Sequence, residues 1–228
     1  MDAVISEVAP DAKAWGDAYC KAHPPTPHFL IAPGNSADQA IQTIVLAAQA
    51  APDGIVIFNV GHGSAGTTGS TLEGTVDLAP AHKLTLGGAN ASNVFVNVFY
   101  DVNMSGSPAG MSDKQYDSQN NPQSPRLVNW NKYRQIATAF DQTDVRKVVF
   151  LTCNVGKSSD FLKKIANDWD VIIEAYLRRM VIDPQRNGRT RMHLEGDSPG
   201  FGTNIPASET ELPLATETNS VRVGPPLP

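Results

Sequence analysis

The sequence predicts an α/β fold built on a mainly parallel sheet. Two apolar runs, Ile55-Val56-Ile57-Phe58 and Val148-Val149-Phe150-Leu151, are short and free of polar alternation. That is the pattern of strands buried on both faces. Segments with helical spacing alternate with such runs, as strand–helix–strand units require. Each run also ends in a chemically competent residue. The first continues Asn59-Val60-Gly61-His62-Gly63 and the second Thr152-Cys153-Asn154. In open α/β sheets, reactive groups gather just past the carboxyl ends of the strands.

The elements follow in order. Pro10 to Ala22 suits a short helix with Asp11 as its N-cap. His23-Pro24-Pro25-Thr26-Pro27 stops it, because proline fixes φ and disfavours helix in the residue before it. His28-Phe29-Leu30-Ile31-Ala32 reads as a strand, and Pro33-Gly34-Asn35 as a turn. Ser36 caps a helix through about Ala50, in which Ala40, Ile41, Ile44, Val45 and Ala48 share one face. Pro52-Asp53-Gly54 launches the strand that leads to His62. The crossover between the two strands should be right-handed.

Gly63 to Ser70 is loop chemistry, and Leu72 to Gly88 fits no single template. Asn93 to Tyr100 begins with the alternation of a half-buried strand. Residues 101–125 are rich in Ser, Gly, Asn, Gln and Pro and read as a long polar excursion. Leu127 to Phe140 suits a helix, and the strand to Cys153 starts near Val145. Ser158-Ser159-Asp160 caps a helix carrying Phe161, Leu162, Ile165 and Ala166, and Val171 to Tyr176 is a further buried strand. The expected organisation is one α/β domain over residues 1–195. Residues 196–228 are expected as an irregular tail, with a short strand near Val221-Arg222-Val223.

Composition narrows the function classes. With 228 residues, 41% of them hydrophobic and 18% charged, the chain can bury a sizeable core. The net charge of -5 comes without a basic stripe, which argues against a nucleic-acid surface. Lys163-Lys164 and Arg178-Arg179 read as solvated faces. No apolar stretch is long enough to span a membrane, and Met1-Asp2-Ala3-Val4 opens no secretory signal. The expected location is the cytoplasm, or outside the cell by a route without such a signal.

Cys20 and Cys153 allow one disulfide, an odd staple for a domain of this size. Cys153 reads as a free thiol, and Cys20 as a packing residue beside Trp15 and Tyr19. A thiol nucleophile must lose its proton. An imidazole can accept it, and a helix N-terminus can steady the anion. His62 would supply the imidazole if the two strands are adjacent. The Ser158-capped helix would supply the dipole from four residues away. The N–H groups of Gly63 and Cys153 could face a developing oxyanion.

Other constellations are weaker. His23 and His28 flank prolines and read as solvent-facing, with no third ligand at metal-binding spacing. No metal or cofactor is expected. Gly61-His62-Gly63-Ser64 does not meet the Gly-x-Ser-x-Gly elbow, and no glycine-rich run matches a phosphate loop. Glu174 and Asp101, near strand ends, are candidate pocket residues.

An apolar strand closed by His62-Gly63, then a second closed by Cys153, resembles the caspase-like cysteine peptidases, clan CD. So does the helix and strand from Phe161 to Tyr176. These segments cover about half the chain. The resemblance implies a caspase/haemoglobinase-like three-layer α-β-α sandwich. It makes His62 the proton acceptor and Cys153 the nucleophile on a peptide carbonyl, with the Gly63 N–H helping to bind the oxyanion; Glu174 is a substrate-binding candidate from its place near a strand end alone. Leu151-Thr152-Cys153-Asn154-Val155-Gly156 departs from the Gln-Ala-Cys-x-Gly of caspases, and His62 and Cys153 stand about ninety residues apart rather than ~50. These features are closer to the divergent bacterial, CHAT-type members. The implied partner is a polypeptide substrate. The alternatives are an inactive binding or regulatory module with a protein partner, and a bacterial effector acting on another acyl or amide bond.

Overall fold

The computed structural model describes residues 1–8, 10–32, 35–59, 63–64, 74–79, 82–86, 134–152, 154–157, 159–184, 190–195 and 210–225. In chain order these form β1 (Ala3–Glu7), α1 (Pro10–Ala22), β2 (His28–Ile31), α2 (Ala37–Gln49) and β3 (Ile55–Asn59). Next come β4 (Gly63–Ser64), β5 (Gly74–Ala79), β6 (His82–Leu86), a helical run over 134–141 (α3) and β7 (Lys147–Phe150). A 3₁₀ turn, η1 (Val155–Lys157), precedes α4 (Ser159–Trp169), β8 (Ile172–Tyr176), β9 (Met180–Pro184), β10 (Thr190–Leu194) and β11 (Ser220–Val223).

Six strands make the central sheet, in the order β11-β8-β7-β3-β1-β2. The five from β2 to β8 are parallel, and β11 closes one edge antiparallel to β8. This is the α/β, mainly parallel architecture expected of the sequence. Helices α2, α3 and α4 cover one face. Ile41, Ile44, Ile136, Phe140, Leu162 and Trp169 pack there on Ile5, Val56, Phe58, Val148, Phe150 and Ile173. The other face carries α1 and the β9–β10 hairpin, with Trp15, Tyr19, Met180, Met192 and Leu194 on Val4, Ile57, Val149 and Tyr176. The strands thus bury both sides, which is why they show no polar alternation.

The order follows from the connections. From β1 the chain steps through α1 to β2 on one side. It then returns through α2, on the opposite face, to β3 on β1's other side, and continues outward to β7 and β8. Reversing both direction and face keeps one crossover hand throughout, as the right-handed rule demands. The direction of winding switches between β1 and β3.

Local chemistry fixes the boundaries. Ser36 caps α2 with a full capping box: its hydroxyl accepts from the Gln39 N–H, and the Gln39 side chain accepts from the Ser36 N–H. Pro10 occupies the first position of α1, where its missing N–H costs nothing. Asp11 therefore lies inside the first turn, favourable to the helix dipole, rather than at the cap. Asp53, Asp144 and Asp170 turn the backbone left-handed just before β3, β7 and β8.

β1 is an addition to the expected elements: the run Ala3-Val4-Ile5 is central to the sheet. So are β5 and β6, which pair with β4 in a small antiparallel sheet within the stretch that fitted no template. The segment after residue 210 packs onto the domain. Leu212 and Ala215 touch the α1-side core, the Tyr176 hydroxyl donates to the Pro213 carbonyl at 2.7 Å, and β11 pairs from Ser220↔Tyr176 to Val223↔Ile173. The strand expected at 93–100 and the polar excursion at 101–125 lie outside the described residues.

Candidate functional site

β3 and β7 are neighbours, paired in parallel from Ile55↔Lys147 to Phe58↔Phe150. The Leu151 N–H donates to the Phe58 carbonyl at 2.9 Å, carrying the contact past the end of β7. Beneath these ends sits an aromatic cluster. Phe58 and Phe150 lie 5.1 Å apart between ring centres, and Trp169 lies 6.3 Å from each and stacks on Phe140 at 4.6 Å. Four large rings from two strands and two helices hold the two strand ends in a fixed relation. His62 and Cys153, three residues beyond Asn59 and Phe150, lie outside the described residues, as does Asp101.

The elements just past these positions are described. β4 begins at Gly63, which pairs with Val76 of β5. β5 in turn lies against η1, the turn that follows Asn154. An element that follows β3 in the chain and the turn that follows β7 are therefore in contact.

The turn after β7 is tightly built. Asn154 has φ 58°, a left-handed value that asparagine tolerates better than most residues. Its N–H donates to the Arg178 carbonyl at 3.3 Å, and its own carbonyl accepts from Lys157 N–H at 3.0 Å. Gly156 presses on the strand beside it. A Cβ there would stand 2.7 Å from the carbonyl carbon and oxygen of Tyr176 and 2.9 Å from the Ala175 oxygen. Thr152 is fully buried, and its hydroxyl has no hydrogen-bond partner among the described residues.

The end of β3 is anchored by a polar chain that sequence reasoning missed. Asn59, buried, donates through Nδ2 to the Ala12 carbonyl at 2.8 Å and to Ser6 Oγ at 3.2 Å. Ser6 Oγ also bonds His28 Nε2 at 2.9 Å, and His28 Nδ1 bonds Asp17 Oδ1 at 2.8 Å. The order Asp–His–Ser has the outline of a charge relay, yet Ser6 is 0% exposed. Gly16 seals it, since a Cβ there would stand 2.4 Å from His28 Nε2 and 2.8 Å from Ser6 Oγ. A nucleophile closed off in this way cannot meet a substrate, so the chain of bonds ties α1 and β2 to the end of β3. His28 is thus a tethered, largely buried residue rather than the solvent-facing one its prolines suggested. Burial opposes ionisation of Asp17, but hydrogen bonds from Lys13 and His28 outweigh it and hold the carboxyl below its ordinary range. A polar residue closing an apolar strand, as Asn59 does, was the available signal.

The other titratable residues are placed as follows. Glu174 lies mid-strand, 8% exposed, and takes an ion pair from Lys147 Nζ at 3.2 Å. Lys147 opens β7, so that carboxylate is engaged at the end of the sheet away from the strand termini. Cys20 is a free, half-buried thiol in α1, pushed up to about 11 by burial and then by the charge of Asp17. His23 stacks on Tyr19 at 4.2 Å, with Nε2 3.5 Å from Glu211. His193 is buried in β10, with Nδ1 3.1 Å from the Leu194 carbonyl. Among the described residues no group of His, Cys, Asp and Glu is placed to hold a metal ion, and no helix is long and apolar enough to cross a membrane. The chain matches no family model, no curated protein and no solved structure.

Proposed function

We propose that the chain is a thiol hydrolase of the caspase-like kind, with Cys153 as nucleophile and His62 as its base, acting on a peptide bond. The observation that carries this reading is the parallel pairing of β3 with β7, because each of those strands leads within three residues to one member of the dyad. Three residues span at most ~11 Å, which limits how far the chain can carry either residue from its strand end. Two further facts support it. The rim adjoins the β1/β3 switch in winding, where α/β sheets open a crevice. The packing of β5 on η1 also gathers the chain beyond both positions.

The chemistry runs as follows. The Cys153 thiol gives its proton to the His62 imidazole, and the thiolate attacks the carbonyl carbon. A C–S bond forms as the carbonyl π pair moves onto oxygen, where the Gly63 N–H meets the charge. Collapse of that intermediate breaks the C–N bond, and the imidazolium proton leaves with the amine. Water, deprotonated by the imidazole, then hydrolyses the thioester and frees the thiol. Glu174 has no step in this scheme, since Lys147 already occupies its carboxylate.

The test is hydrolysis of a diverse peptide library by wild type, Cys153→Ala and His62→Ala. The reading expects both variants to lose all cleavage. Retained cleavage in either would overturn it. No cleavage by the wild type, together with slow alkylation of Cys153, would favour the binding module. Reaction with acyl-type but not peptide-type electrophiles would favour another acyl or amide substrate.

A further inference from the structure

A helix face in contact with water ordinarily carries charged side chains. From Gln39 to its C-cap Ala50, α2 holds none, although Gln39, Gln42, Leu46 and Gln49 are exposed, Leu46 by 43%. Depletion of charge is the compositional mark of an interface core. Beside this face runs a groove of about 380 Å³ between α2 and α3. Gln42 and Gln49 line it from α2, with Val45 between them in the sequence, and Gln135 and Gln142 line it from the side of α3. Gln142 follows the last turn of α3 but keeps a helical place, because its N–H donates to the Thr138 carbonyl at 3.0 Å. Among the described residues, Arg134 is the one charged group in the lining.

That lining selects its occupant. A glutamine amide offers an N–H and a carbonyl side by side, which is what a peptide group offers in return. The two amides from each helix stand seven residues apart, about 10.5 Å along the axis, or about three residues of extended chain. A small organic ligand favours mainly apolar walls and a nucleic-acid strand several cations, and among the described residues the groove has neither. We propose that the α2–α3 groove docks an extended polypeptide segment, its main chain paired with the four glutamine amides and one carboxylate side chain on Arg134. An apolar side chain of the segment covers Leu46, which follows Gln42 by four residues and precedes Gln49 by three, and so lies on the same side of α2. The groove uses no residue of the thiol chemistry above, so the two proposals stand or fall separately.

The probe is the capped pentapeptide acetyl-Ala-Leu-Ala-Glu-Ala-amide, titrated into the isotope-labelled full chain and followed by NMR. The chain carries Cys153→Ala, so that no peptide is consumed. Saturable shifts should appear in the side-chain amide signals of Gln42, Gln49, Gln135 and Gln142. Arg134→Ala should weaken binding about tenfold, the effect of one lost charge-assisted hydrogen bond, and a lysine in place of the peptide's glutamate should do at least as much. A probe methylated on its backbone nitrogens should not saturate, since the N–H groups that the amides read are gone. Circular dichroism checks that the variant keeps its fold. No saturable shift at about 10 mM peptide would overturn the proposal. Equal binding of the methylated probe would show that the main chain is not read, and equal binding of the lysine probe that Arg134 selects nothing; either overturns it. Shifts at the same amides that grow with protein concentration alone, together with a dimer mass in sedimentation, would assign the face to a second copy of the chain and overturn it too.

Discussion

Replacing Gly156 with alanine puts a methyl group where the neighbouring strand already is. The new Cβ would stand 2.7 Å from the Tyr176 carbonyl carbon and oxygen and 2.9 Å from the Ala175 oxygen. Carbon pairs rest at about 3.5–4.0 Å, so the overlap is close to 1 Å. Both contacts are backbone atoms of β8, paired on one side with β7 and on the other with β11, and cannot retreat. The turn must move instead, by about an ångström, and small-to-large changes of this kind cost about 1–3 kcal/mol. Gly156 is three residues from Cys153, so the same shift disturbs the thiol. Misplacement by 1 Å in a reacting pair costs about a hundredfold in rate. Gly156→Ala should therefore lower the urea midpoint with an unchanged slope, and slow Cys153 labelling far more than the loss of stability explains. Wild-type stability and wild-type labelling together would refute the claim that this glycine sets the position of the turn.

Three further outcomes are expected. Lys147→Met leaves the Glu174 carboxylate unpaired at 8% exposure and should cost about 2–3 kcal/mol in chemical denaturation, less than a fully sealed pair because Lys147 still meets water; Lys147→Met with Glu174→Leu should recover most of it. Raising the Cys20 thiol from 9.0 to about 11 lowers its thiolate fraction about a hundredfold near neutral pH. Greater nucleophilicity of the basic thiolate returns about eightfold, so Cys20 should alkylate roughly ten times more slowly than a free cysteine peptide. Asp17 is held below its ordinary carboxylate value of 3.8, so its contribution is present above that pH and is lost as pH falls through the lowered value. Asp17→Asn should flatten the acid limb of a stability–pH curve by a few tenths of a kcal/mol, since the group is half exposed and screened.

How much was legible in advance depended on whether the signal was local. The Ser36 cap, the apolar face of α2 and the runs that became β3, β7 and β8 all declare themselves within a dozen residues. β1 does not: Ala3-Val4-Ile5 is too short to read as a strand before Ser6 and Glu7 interrupt it, and it earns its place through neighbours on both sides. β9 and β10 form a hairpin whose first strand ends in Asp183-Pro184, residues that argue against a strand until the pairing partner is known. His28 looked solvent-facing because prolines surround it. Its burial comes from Gly16 on a separate helix, which no reading of residues 23–28 can contain. For the site, the order of β3 and β7 was the required condition and could only be supposed from sequence. Asn59, Ser6 and Thr152 escaped notice because a polar residue at a strand end looks like the start of a loop.

The proximity of His62 and Cys153 can be measured without any substrate. In a Cys20→Ser background, His62→Cys leaves two thiols, at positions 62 and 153, which a two-carbon bis-thiosulfonate can join only across a short gap. Efficient intramolecular cross-linking in the monomer, mapped to a 62–153 peptide pair, is the predicted result. Two thiols that each take up reagent singly and never bridge would contradict it.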